Sequence, residues 1–557
     1  MKNFFKKLGH AVCGRKGIGT SMTVAIILAV VMLNIVAYTV TNVFSLYIYS
    51  EEKDDLSISG NTDELFENAQ MLGKKVTITF CYPEDTLKNH STGSFVLATA
   101  RAFEERYEGF VELRFVNLLT KMQMDENGNF VKFFDFDQYY EIICPHCKNN
   151  VKLRDIDRSD AECTKCKESL SDEDLEKITT PLRSNSVIFE SGEGSDFNFR
   201  ILTDTSTSAG FVDFYILDGS SSIVSYNGEE VMAAMMLWVV SGSHDDKVVY
   251  FTQNHGESAD IAFSNLLTCA GYRIEVINLR KEAKIPDNAA LVVISNPTSD
   301  FDRTNENDVK QGEINKLEDY LERGGKLYVA LDPYVKELKN LESLLGNWGI
   351  GMSFVRDENG TLLRNVVKEG ANAITTDGYT FVATHADNEI SSQILDKVQR
   401  FGTDRVLMSN VVALDLNESP DESTKVYPIL KAGDTASTYA GGKLTDNNGG
   451  YDVAALSVKT LEDGSTASVF VIPTAYITAT DAFISEGYSN KDFLYATFEV
   501  AFGSYAAPYG CNQVIYETQI LENLTMGTAK AYTALILAIP AALAIVGTVI
   551  IVRRKNR

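Results

Sequence analysis

The sequence predicts an α/β protein anchored in a membrane at both ends. Three observations predict it. Two long uncharged apolar runs lie near the termini, with basic residues on their outer sides. Between them, strand-like apolar runs alternate with amphipathic helical ones. Inside the first alternation sit two Cys-x-x-Cys knuckles at the ligand spacing of a small metal module.

Residues 21–50 carry no charge, long enough to span a bilayer with tilt. The run exceeds a signal-peptide core and no Ala-x-Ala site follows it, so it reads as an uncleaved anchor. Residues 531–552 give a second span, in which Pro540 is tolerable. Lys2, Lys6, Lys7, Arg15 and Lys16 precede the first run, and RRKNR (553–557) follows the second. By the positive-inside rule, residues 1–20 and 553–557 are cytoplasmic tails and the body between the spans is extracytoplasmic. The chain's net charge is −25, and since the two tails hold nine basic residues and no acid the body carries −34, which excludes nucleic acid as a partner on repulsion.

The body opens with a unit over 51–226. Thr62 heads a helix with Asp63 and Glu64 in its first turn. KVTITF (75–80) alternates as a strand; Phe95, Ala98, Ala102 and Phe103 stripe a helix over 92–107; FVELRFVN (110–117) alternates again. Strand, helix, strand is a parallel βαβ unit, and a hairpin over 184–202 completes a thioredoxin-like sheet. The Cys-x-x-Cys of redox relatives is absent, and Cys81 stands alone at the strand end.

An insert over 120–183 divides this unit. Cys144, Cys147, Cys163 and Cys166 offer four thiolates, a closed tetrahedral zinc ribbon that staples a segment too small to build a core. Disulfides are the competing pairing in an oxidising space, and His146 is an alternative ligand. The zinc is expected to be structural, with partner docking as a second role.

From 227 to 520 the pattern is that of a doubly wound, flavodoxin-like sheet. Helix 227–243 is apolar nearly all round. Then come strand 247–251, a helix capped by Ser258 and stopped at Gly271, strands 272–279 and 289–297, helix 313–325, strand 326–333 and helix 337–350. Strand 467–477 and helix 490–503 close the pattern, and GGKLT (441–445) is a hairpin turn. Ligands of such sheets sit beyond the strand C-terminal ends, which here carry Asn254, His255, Glu257, Asn296, Asp332 and Thr474. These are candidate ligand-binding residues, and each is also a common turn-former or cap. His-Glu-x-x-His, Gly-x-Ser-x-Gly and the P-loop are all absent, so no catalytic residue is expected.

Several stretches in order resemble the GldG family, auxiliary and substrate-binding subunits of ABC transporters first associated with gliding motility. They are SGNTDELFENAQMLGKKVTI, VVYFTQNHGES, LERGGKLYVALDP, LESLLGNWGI and VFVIPTAYITATDAFISEGYSNKDFLYATFEVAF. His255, Gly256 and Glu257 match the family's Gly-His-Gly-Glu-like turn, and Asn254 departs from it. The resemblance implies a class I glutamine amidotransferase-like second domain without its catalytic cysteine. It also implies a separate ABC ATPase and permease as partners, and a two-pass place in a bacterial cell membrane. A membrane-anchored envelope hydrolase or amidotransferase-like enzyme, or a structural membrane-to-envelope linker, are the alternative functions.

Overall fold

In the computed structural model, residues 56–516 are described except 72–73, 119–121, 125–129, 133, 135, 158–159, 180–181, 204–209, 242–246, 304–311, 419, 486 and 505–506. The chain divides into two units, residues 1–55 and 56–557, and every element below belongs to the second.

A small sheet comes first. Helix α1 (Gly60–Met71) leads to β1 (Val76–Phe80), α2 (Gly93–Arg106) and β2 (Val111–Phe115), and β1 and β2 pair in parallel. After the insert, β5 (Val187–Ser191) and β6 (Asn198–Leu202) form a hairpin, with β5 antiparallel to β1, in the order β2-β1-β5-β6. Within the insert, β3 (Glu141–Ile143) pairs with β4 (Asn150–Lys152) as one of its two-stranded ribbons. Helix α2 forms where its periodicity places it, but its buried face is Val96, Leu97, Ala100 and Phe103; of the expected stripe only Phe103 is buried, Phe95 and Ala102 are half-buried and Ala98 is exposed.

Helix α3 (Gly228–Ser241) then crosses behind β1, β5 and β6. It is apolar nearly all round because nearly all of it is buried.

The large sheet holds β7 (Val248–Thr252), β8 (Arg273–Ile277), β9 (Ala289–Ser295), β10 (Lys326–Ala330), β11 (Thr380–His385), β12 (Val406–Ser409), β13 (Thr424–Lys431), β14 (Asp452–Thr460) and β15 (Thr466–Ile472). The order is β8-β7-β9-β10-β15-β14-β13-β11-β12. The first five run parallel, and the last four are antiparallel additions. Helices cover both faces. On one side, α4 (Ile261–Cys269) and α8 (Asn490–Phe502) meet Val249, Phe251, Leu291 and Tyr328. On the other, α5 (Glu313–Glu322) and α6 (Lys339–Asn347) meet Val248, Tyr250, Val292 and Leu327. Burial on both faces is why β7, β9 and β10 read as near-continuous apolar runs, whereas the edge strand β8 carries Arg273 and Glu275 and is half-exposed.

Three expectations are corrected. Among the described residues no helix is long and apolar enough to cross a membrane. The structure therefore does not support a protein anchored at both ends, nor a two-pass localisation; the runs 21–50 and 531–552 lie outside the described residues. The large sheet is mixed, not doubly wound throughout, because antiparallel strands between 380 and 460, with helix α7 (Glu389–Phe401) joining β11 to β12, extend the parallel half. Helix α4 is capped by Asp260, whose Oδ1 accepts from the Ala262 N–H at 3.1 Å, and not by Ser258.

The GGKLT turn is a two-residue hairpin loop between Ser437–Ala440 and Lys443–Asp446. Gly441 and Gly442 hold φ of 56° and 78°, the mirror-image turn that suits strand twist and favours glycine.

Candidate metal centre and the strand-end histidine

The insert builds its site from two matched turns. Each Cys-x-x-Cys loop closes on the lysine after its second cysteine, Lys148 at φ 60° and Lys167 at φ 64°. The Lys148 N–H donates to the Cys144 carbonyl at 2.9 Å, and Lys167 does the same to Cys163 at 3.0 Å. The two turns face each other. Cys144 Sγ stands 3.7 Å from Cys166 Sγ, and Cys147 Sγ 3.8 Å from Cys163 Sγ. All four sulfurs lie within 4.8 Å of one another, and none is bonded to another. Four ligands at a metal–sulfur distance of about 2.3 Å in a tetrahedron stand roughly 3.8 Å apart, so the cluster fits a metal ion. The four cysteines can therefore hold one.

Burial pushes the Cys163 thiol up, but the backbone N–H groups of Cys166 and Lys165 outweigh it and hold the pKa at about 7. Burial pushes the Cys144 and Cys147 thiols the other way, Cys147 to about 12, so it is the placement of the sulfurs that supports a metal. His146 is turned away, with Nε2 3.2 Å from the Ser169 carbonyl. Among the described residues, Ile142, Val151, Ile156 and Leu170 are the buried aliphatics that cluster with the cysteines. So few side chains make a core that needs a further restraint.

At the end of β7 the chain turns sharply through Asn254 and Gly256, at φ of 86° and 74°. Asparagine and glycine tolerate this region. The turn sends His255 inward until it is fully buried. Its Nδ1 lies 3.1 Å from Glu257 Oε1 and its Nε2 3.0 Å from Glu313 Oε2. The ring stacks on Phe301 at 3.9 Å. Glu257 Oε2 also accepts the His255 N–H at 2.6 Å, and Glu313 Oε2 the Asp302 N–H at 2.9 Å. Glu313 begins α5, where the helix dipole favours a carboxylate.

Burial alone would depress the His255 pKa, but the bonds to Glu257 and Glu313 overcome it and raise it to about 9. Both carboxyls are held below their usual range by the same imidazolium, against the upward push of burial. At neutral pH the ring is a cation with both nitrogens occupied. It has no lone pair with which to take a proton from a substrate.

The other strand-end residues are brought into the same region and bond to one another. Asn296, at φ 54°, donates Nδ2 to Ser258 Oγ at 3.1 Å and accepts the Asp332 N–H at 3.1 Å. Asp332 Oδ1 accepts the Tyr334 N–H at 2.7 Å. Thr474 stands apart, buried, donating to the Ser409 carbonyl at 2.7 Å where β15 ends near β12. Sequence reasoning missed Glu313, which lies 58 residues from the histidine and carries no local signal beyond its place in a first helical turn. Cys81, at the end of β1, is buried and its thiol pushed up to about 12, which makes it unreactive.

No family model matches the chain. No curated protein matches it. Among solved structures, the mmIFT52 N-terminal domain is similar at 13% identity and a TM-score of 0.32, covering 45% of this chain and 96% of that one. An exo-β-1,4-mannosidase from an Opitutaceae bacterium aligns at 12% identity and a TM-score of 0.23, covering 51% and 40%. PurLQS from Thermotoga maritima aligns at 11% identity and a TM-score of 0.25, covering 46% and 98%. Likenesses this distant carry no argument about family or function.

Proposed function

We propose that this chain is a non-catalytic auxiliary subunit of the GldG type, working by binding a ligand or docking on a permease served by a separate ABC ATPase. The motifs from SGNTDELFENAQMLGKKVTI to the TAYITATDAF region support the family reading. The observation that carries the non-catalytic part is the state of His255. It is the histidine of the family-like turn, and two carboxylates occupy both its nitrogens. In this reading the turn is a rigid corner of the fold. Cross-linking the full chain in its native cells and identifying what purifies with it tests the proposal. Recovery of an ABC ATPase with a multi-span permease supports it; a hydrolytic activity of the purified chain abolished by His255→Gln, in a variant that still folds, overturns it.

The metal of the cysteine cluster is assigned as zinc in a structural role. Four thiolates in a tetrahedron suit zinc, and a site closed by four protein ligands leaves no position for substrate. Metal analysis of the purified chain is expected to find one equivalent of zinc, lost on Cys147→Ser.

A further inference from the structure

Where the cysteine module meets the large sheet there is a cavity of about 240 Å3. Its walls come from four places. The module's ribbon supplies Glu141 on β3, β6 supplies Arg200, α3 supplies Trp238, and the sheet edge supplies Lys247, Tyr272 and Arg273. Three cations and one carboxylate therefore converge here, on a chain whose net charge is −25.

Arg200 is central. Its Nη2 donates to the Tyr272 carbonyl at 2.9 Å, and its guanidinium lies 4.6 Å over the Trp238 ring. Among the described residues no carboxylate forms an ion pair with it. Burial lowers its pKa to about 10, with Glu141 acting the other way, so it stays charged at neutral pH. Glu141 is itself engaged, accepting from Asn150 Nδ2 at 2.6 Å. Lys247 Nζ donates to the Gly503 carbonyl at 2.9 Å and Arg273 Nη2 to the Lys148 carbonyl at 3.2 Å, while Arg273 Nε faces Glu275 at 3.5 Å. A partly desolvated guanidinium on an aromatic face, with donors to spare, is built to take an oxyanion through a two-pronged bond. The volume falls below the roughly 300–1,000 Å3 of drug-sized sites, so the ligand is small.

We propose that this cavity is a binding site for a small oxyanion, a carboxylate or a phosphate, anchored by Arg200 and walled on one side by the cysteine module. The site is independent of the transport reading above. It also gives the module a consequence beyond its own folding, since loss of the module removes a wall of the cavity.

The chain has two tryptophans, Trp238 and Trp348, so a Trp348→Phe background isolates the ring that Arg200 covers. Titrating that full-length chain with inorganic phosphate, and separately with acetate, is expected to give a saturable change in Trp238 emission with at least one probe. A response to phosphate alone identifies a phosphate site, and a response to acetate alone a carboxylate site. Arg200→Gln should weaken binding about tenfold or more, as the loss of charge-assisted hydrogen bonds implies. Arg323→Gln, at an exposed pair with Asp287, should leave it unchanged. If Arg200→Gln does not fold, Arg273→Gln on the facing wall carries the same test. No saturable response to either probe, confirmed by calorimetry, overturns the proposal. So does undiminished affinity in a folded Arg200→Gln chain.

Discussion

Replacing His255 with glutamine should destabilise the protein by an amount that depends on pH. The imidazole rises from 6.5 to about 9 on folding because Glu257 and Glu313 hold its proton. At about 1.4 kcal/mol per tenfold change in proton affinity, that is ~3 kcal/mol. The sign follows from linkage: a pKa raised on folding gives stability that is complete below 6.5 and fades as pH climbs through about 9. The carboxyl partners behave oppositely, their contribution being present above 4.5 and lost as pH falls. Urea unfolding of wild type and His255→Gln at roughly pH 6 and pH 10 measures the difference directly. A gap of ~3 kcal/mol near pH 6 that shrinks to about 1 kcal/mol or less near pH 10 is expected. A gap that is the same at both values, or larger at the alkaline one, would refute the charged-clamp account.

Stripping metal from the cysteine cluster should loosen residues 141–179 while β7–β10 keep their fold, read as new protease cuts confined to the insert. Arg364 is almost fully buried and makes a two-pronged pair with Glu342 at 2.9 and 2.5 Å. Arg364→Ala leaves that carboxylate uncompensated and should cost ~3 kcal/mol in chemical denaturation. Gly449 sits at φ 74°, and a Cβ there would stand 2.3 Å from the Asp434 carbonyl oxygen. Gly449→Ala should lower the melting temperature, by a free energy of about 1–3 kcal/mol.

Local periodicity made β1, β2 and the parallel strands β7, β9 and β10 legible, the last three because they are buried along most of their length, and it located α2 but not its buried face. The cysteine cluster was legible too, since ligand spacing is itself a local pattern. The region between 350 and 460 was not. Its strands are short and half-exposed, such as Phe354–Arg356 and Lys443–Asp446, and pair through hairpins rather than through a repeating crossover. Of the strand-end residues, the sequence placed His255 beside Glu257. It could not place Glu313, since the contact spans helix α4 and strands β8 and β9. Arg200 and Trp238 were invisible for the same reason: nothing in either neighbourhood announces the other.

Helix α3 explains why the two sheets should not separate. Two acids head an otherwise apolar helix, and both are buried. Glu229 accepts from Ser59 Oγ at 2.7 Å, Thr62 Oγ1 at 2.6 Å and the Asn512 N–H at 3.0 Å. Glu230 accepts from Lys491 Nζ at 2.7 Å and Tyr495 O–H at 2.6 Å. One turn thus ties the start of α1, the α8 helix and the segment after it, while the rest of α3 packs on β1, β5 and β6. Buried charge is tolerated only when fully paired, so the Glu229 cluster is intact only when residues before and after α3 are both present. A fragment of residues 227–516 would keep Lys491 and Tyr495 but lose Ser59 and Thr62, and would bare the face of α3 that the small sheet covers. That fragment should aggregate alone and be rescued by co-expression with residues 56–226. A monomeric fragment melting like the intact chain would mean that the burial of α3 contributes little.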